Sequence, residues 1–147
     1  MDAPESILLV CVGNICRSPM AEAFLQKRLP HVKVSSAGLA ALVGDGADPG
    51  AISAMAQLKM DISSHQARQV DAAMLAEAHL VFVMSLAQKS ALEKKYPWVR
   101  GRVFRLGEWD RFDIDDPVGL SPEAYVRARC LIEQGCDSWT AKLRTYE

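Results

Sequence analysis

Ser6-Ile7-Leu8-Leu9-Val10-Cys11-Val12-Gly13-Asn14-Ile15-Cys16-Arg17-Ser18-Pro19 is the stretch from which the rest of the chain can be read. Ser6 to Val10 is a short apolar run, the pattern of a strand buried on both faces. Gly13 sits in the turn that follows, and Ser18-Pro19 offers a helix N-cap with proline at the first helical position. Apolar residues then recur at four-residue spacing, Met20 with Phe24 and Ala21 with Leu25, until Pro30 stops the helix. A strand ending at Cys11 thus feeds a glycine-bearing loop and then a helix N-terminus.

Outward from there the alternation continues. Val32-Lys33-Val34-Ser35 predicts a second strand, 38–50 a loop, and Asp48-Pro49 the start of a helix reaching about Met60. Leu80 to Met84 is the clearest later strand, with a helix from about Ala87 to Tyr96 halted by Pro97. Arg102 to Arg105 is a fourth, shorter strand. Gly107 to Pro122 is polar and turn-rich, carrying Asp110, Asp113, Asp115 and Asp116. A long terminal helix places Ala124, Ala128, Leu131, Ile132, Gly135, Trp139 and Leu143 along one stripe. Strands alternating with helices define an α/β chain: one domain over 1–147, a four-stranded parallel sheet with helices on both faces, Rossmann-like in its layers. Ligands in such sheets bind at the carboxyl ends of strands, and Cys11 stands at one.

Composition sets the limits of function. Half of the 147 residues are apolar, enough for a sizeable core. A net charge of −1 and a mean hydropathy near zero leave no electrostatic grip on nucleic acid or anionic lipid, so any phosphate chemistry must be local. No apolar run approaches the roughly 20 residues of a membrane span. The start MDAPE lacks the basic region of a signal peptide. The expectation is a soluble, cytoplasmic protein with no membrane insertion. Cys11, Cys16, Cys130 and Cys136 form no CxxC pair, and His31, His65 and His79 are scattered, so no metal site and no cofactor are expected.

The loop has its own chemistry. Successive N–H groups at a strand–helix turn can converge on an anion, reinforced by the helix dipole. Gly13 supplies backbone freedom, Asn14 tolerates left-handed geometry, and Arg17 carries a planar fork matched to two phosphate oxygens. These donors, from Val12, Gly13, Asn14, Ile15, Cys16, Arg17 and Ser18, also favour an ionised Cys11, making it a nucleophile aimed at bound phosphorus. Ser18 is placed to donate to the sulfur as it leaves. A lone cysteine at a strand end is usually just a small hydrophobe. The arginine six positions later argues otherwise.

The segment C-V-G-N-I-C-R-S-P-M-A-E, Cys11 to Glu22, resembles the signature of the low-molecular-weight protein tyrosine phosphatases. The likeness continues through Ser36-Ala37-Gly38, Ser64-His65-Gln66-Ala67-Arg68-Gln69 and Asp116-Pro117, in order along the chain. The stretch from Ala40 to Pro49 is most similar to bacterial members associated with exopolysaccharide export, which act on tyrosine kinases of the export machinery. The resemblance implies a phosphocysteine on Cys11, held by Arg17, with Asp116 as general acid and then base. Asp115 is the alternative acid; Asp110 and Asp113 are assigned to solvent. The implied partner is a phosphotyrosine protein, a tyrosine autokinase, met by a monomer.

By the same resemblance Cys16 matches a second loop cysteine able to pair reversibly with the nucleophile under oxidant, and Asn14, Ser36 and His65 match supports behind the loop. Cys130 and Cys136 are read as packing. Where many members have an aromatic wall, this chain has Val118, with Leu42 or Val43 opposite; Trp109 and Phe112 are candidates to replace it. Ser85 stands where relatives are often acidic. Competing readings are a thioredoxin-coupled arsenate reductase, which needs cysteines absent from 84–90, a protein-arginine phosphatase, which has threonine in place of Ile15, and a phosphate-binding module without turnover.

Overall fold

In the computed structural model, which describes residues 4–144, the first apolar run becomes strand β1 (Ser6–Cys11). The first three residues of the acidic start and the last three of the 1–147 span lie outside the described residues. Side chains of β1 alternate between two cores, as the period of a strand requires. Ile7, Leu9 and Cys11 pack with Met20, Phe24 and Leu25 of helix α1 (Arg17–Arg28), with α2 (Pro49–Ala56) and with the long α5 (Pro122–Arg144). Leu8 and Val10 face Leu75 of α3 (Ala72–Glu77) and Leu92 of α4 (Leu86–Lys95). Helices therefore cover both faces, as expected.

Strands β2 (Lys33–Gly38), β3 (Leu80–Val83) and β4 (Val103–Arg105) complete a parallel sheet in the order β2-β1-β3-β4. The chain leaves β1 on one side for β2 and returns on the other for β3. Connections diverge at β1, and a crevice opens at its carboxyl end. Cys11 is the last residue of that strand. Below it, Phe24 and Phe82 are sealed from solvent, each contributing about 1.5–3 kcal/mol of burial. Phe82 lies 4.5 Å, centroid to centroid, from Trp139 of the predicted terminal stripe.

Several boundaries differ from expectation, each for a physical reason. Ser18 is not the N-cap: α1 begins at Arg17, Cys16 precedes it, and no side chain caps the end. Pro19 in the first turn costs nothing, since that turn has no intrahelical use for its N–H. β2 runs to Gly38 because Ser36, Ala37 and Gly38 pair with Leu9, Val10 and Cys11 despite their small, polar character. α2 ends at Ala56, short of Met60, and Lys59 turns the chain at φ 58°. α3 is missing from the sequence reading; it is only six residues long, buries Leu75 alone and shows no apolar stripe. Its cap is nevertheless clear, with Asp71 Oδ1 accepting from Met74 N at 2.8 Å.

Candidate active site

Every carbonyl from Cys11 to Cys16 is turned away from the loop's centre. Cys11 O accepts from Leu39 N (2.9 Å), Val12 O from Ala40 N (3.0 Å), and Gly13 O from Leu42 N (3.1 Å). Asn14 O accepts from His65 Nε2 (2.6 Å), Ile15 O from Asp48 N (2.7 Å), and Cys16 O from Met20 N (3.2 Å). In a planar trans peptide the next residue's N–H points opposite its carbonyl. The amides of Val12 through Arg17 therefore point away from these partners, and the N–H groups of Arg17 and Ser18 lie in the uncapped first turn of α1.

Asn14 holds the turn open. Its φ is 57°, and its side chain is wholly buried. Arg68 N donates to Asn14 Oδ1 at 2.9 Å, which orients the amide. Nδ2 then donates to Ser18 Oγ (2.8 Å) and Ser36 Oγ (3.0 Å). With a lone pair of Ser18 engaged, its hydroxyl proton is free for Cys11 Sγ, 2.9 Å away. The serine expected as a helix cap thus pairs with the sulfur instead. Gly38, paired with Cys11, admits no side chain, because a Cβ there would lie 2.5 Å from Val12 O. Asp48 caps α2 through Gly50 N (3.1 Å) and also accepts from Tyr125, whose hydroxyl burial and then that carboxylate push up to about 12.

Cys11, Val12, Gly13, Ile15, Cys16 and Arg17 line a cavity of about 220 Å³, closed by Ala40, Leu42, Asp116 and Val118. Asn14 and Ser18 sit behind it as supports. Arg17 is 4% exposed; its Nη1 donates to Ile114 O at 2.7 Å, and Nη2 stands 3.8 Å from Asp116 Oδ2. Asp116 is half-exposed at the rim, where Val118 N donates to its Oδ1 (3.1 Å). Asp115 points to solvent and takes no part in the lining. Burial, and then the neighbouring Cys11, push the Cys16 thiol far up, so it stays protonated. A larger cleft of about 440 Å³ includes Ser36, His65 and Arg68 but none of Cys11, Arg17 or Asp116.

Four expectations need correction. Asp113 is not free in solvent: its Oδ1 accepts from Arg105 Nη1 (3.1 Å) and Leu86 N (3.2 Å). Cys130 is exposed rather than packed, whereas Cys136 is buried. Trp109 and Phe112 do not replace the aromatic wall. Trp109 packs edge-on to Trp139 at 5.1 Å, and Phe112 covers Gly107. The walls are Leu42 and Val118. Ser85 caps α4, its Oγ accepting from Gln88 N. The anchoring amides of Leu39, Ala40, Leu42 and Asp48 were not legible in sequence, since any residue brings such a group. Arg105 had a signal: a charge between Phe104 and Leu106 in a strand.

The structure is thus a parallel α/β sheet whose switch point carries a cavity lined by a cysteine and an arginine, Cys11 and Arg17. Residues 6–146 match the family model described as low molecular weight phosphotyrosine protein phosphatase. A probable low molecular weight protein-tyrosine-phosphatase, EpsP of Ralstonia solanacearum, is 47% identical over 140 residues, 95% of this chain and 97% of that one. The solved structure of Vibrio vulnificus Wzb in complex with benzylphosphonate superposes with a TM-score of 0.90 at 40% identity, covering 93% of this chain and 97% of the other. The YwlE arginine phosphatase from Geobacillus stearothermophilus gives 0.91 at 34% identity, covering 97% and 94%. The chain belongs to the low-molecular-weight protein-tyrosine-phosphatase family, and it is a phosphatase. No helix among the described residues is long and apolar enough to cross a membrane.

Proposed function

We propose that the enzyme hydrolyses phosphotyrosine through a phosphocysteine on Cys11. The phosphoryl dianion is held by the amides of Val12 to Ser18 and by Arg17. The Cys11 thiolate attacks phosphorus as the P–O bond to the tyrosine ring breaks, and Asp116 passes its proton to the departing oxygen. Water then attacks the phosphocysteine, giving a proton back to the Asp116 carboxylate. The P–S bond breaks, inorganic phosphate leaves, and the Ser18 hydroxyl stabilises the returning thiolate. The observation that carries this reading is the outward set of six carbonyls, which leaves the amide dipoles already aligned where charge collects.

The proposed substrate is a phosphotyrosine protein, a tyrosine autokinase of exopolysaccharide export, met by a cytoplasmic monomer. EpsP of Ralstonia solanacearum and Wzb of Escherichia coli, both named low molecular weight protein-tyrosine-phosphatases, support the phosphotyrosine part of this reading. The arginine phosphatase likeness supports a second reading, phosphoarginine hydrolysis. Ile15 favours the first, since its apolar side chain lines the cavity where a flat ring would rest. Acid-quenching the enzyme during turnover of p-nitrophenyl phosphate, with a chelator present, should yield protein phosphorylated on Cys11. Phosphate found on another residue, or turnover abolished by the chelator, would overturn the mechanism. Faster cleavage of phosphoarginine than of phosphotyrosine would overturn the substrate.

A further inference from the structure

Arg105 ends β4 with its guanidinium almost wholly inside the protein, at 8% exposure. A charge there must be matched by a partner. Its Nη1 donates to Asp113 Oδ1 at 3.1 Å, and its Nε lies 3.8 Å from Glu108 Oε1. The same Asp113 oxygen accepts from Leu86 N, the first residue of α4, at 3.2 Å. One residue on, Ile114 is gripped from both sides: its N–H donates to Met84 O (2.9 Å), and its carbonyl accepts from Arg17 (2.7 Å). Only Asp115 then separates this anchored segment from Asp116. The carboxylate at the rim is thus tied to a buried arginine on the sheet's edge strand. Neither Arg105 nor Asp113 lines the cavity.

We propose that Arg105 and Asp113 are positioning residues that set where the Asp116 carboxylate stands over the cavity, and so how well it protonates the leaving group. This rests on Asp116 being the general acid. Asp113 reaches the β4 end and the α4 start with one oxygen, so its charge draws the loop segment that follows it onto the sheet edge. Asp113→Asn keeps an acceptor for Leu86 N–H while weakening the hold of Arg105. The acid should then drift outward, while Ile114, with two bonds of its own, keeps Arg17 in place. Displacing a catalytic group by a fraction of an ångström to an ångström costs up to about 10²-fold, so about tenfold is expected here.

The test compares kcat/KM for phenyl phosphate, whose leaving group needs a proton, with that for 2,4-dinitrophenyl phosphate, whose leaving group does not. Asp113→Asn and Arg105→Gln should each lower the phenyl ester about tenfold and the dinitrophenyl ester by less than about threefold. The double variant should fall no further than either single one, because the two act as one unit. Equal losses on both esters, or no loss on either, overturn the inference if Asp116→Asn itself still discriminates between them. If Asp116→Asn does not discriminate, the acid assignment fails first and takes this inference with it. Should Arg105→Gln not fold, Asp113→Asn decides alone, since the Asp113 side chain is 44% exposed.

Discussion

The two loops that meet at the cavity are held in opposite ways. The loop from Cys11 to Ser18 is bonded at every carbonyl from Cys11 to Cys16, and its shape is forced by Asn14 at positive φ and by Gly38 beside it. The late loop carrying Asp116 hangs on a few distant contacts: Ile114 to Met84 and Arg17, and Asp113 to Arg105 and Leu86. A cradle that must present several dipoles to one dianion tolerates no drift, because misaligned amides lose the preorganisation that stabilises the transition state. An acid that must first give and then take a proton needs only one correct distance. In the proposed mechanism, binding is built from backbone and proton transfer from long-range packing.

The comparison breaks at once if Cys11→Ser retains activity; turnover of p-nitrophenyl phosphate should fall by about 10⁴-fold or more, the scale for losing a nucleophile. Next, Asp116→Ala should lower kcat/KM for phenyl phosphate by about 10²–10⁴-fold, with little change in the inhibition constant of inorganic phosphate. A loss seen instead in Asp115→Ala would move the acid to its neighbour.

Asn14→Ala sharpens the contrast, because it strikes the cradle without touching substrate. It strands the Arg68 N–H and places alanine in a left-handed turn, so stability should drop by about 2–4 kcal/mol in denaturant titration. Phosphate affinity should weaken with it; unchanged phosphate binding would mean the cradle does not depend on that side chain. The smallest effect on turnover is expected from Phe82→Ala, deep in the core. It should cost about 3–5 kcal/mol of stability yet leave kcat per folded molecule unaltered, as active-site titration would check.

Most of the architecture was legible from the first strand onward. Short apolar runs, proline and glycine stops and the alternation of elements predict the layers, and the spacing of Cys11 and Arg17 picks out two residues that line one cavity. The exceptions are instructive. β2 is longer than its apolar run because pairing with β1, not side-chain hydrophobicity, decides how far Ser36, Ala37 and Gly38 extend. Ser18 satisfies every local rule for an N-cap and yet pairs with the Cys11 sulfur and Asn14 instead, so the helix end stays uncapped.

By itself the chain specified the order of its elements and the residues at the floor of the cavity, since those depend on periodicity and on spacing within one turn of backbone. Folding alone decided which distant groups complete them. Leu39, Ala40, Leu42, Asp48 and His65 hold the loop carbonyls, Asn14 holds the Ser18 hydroxyl, and Arg105 takes hold of Asp113. Such partners are chosen by where the sheet brings backbone and charge together, and a hydrogen bond's direction is a property of three-dimensional arrangement that no run of side chains encodes locally.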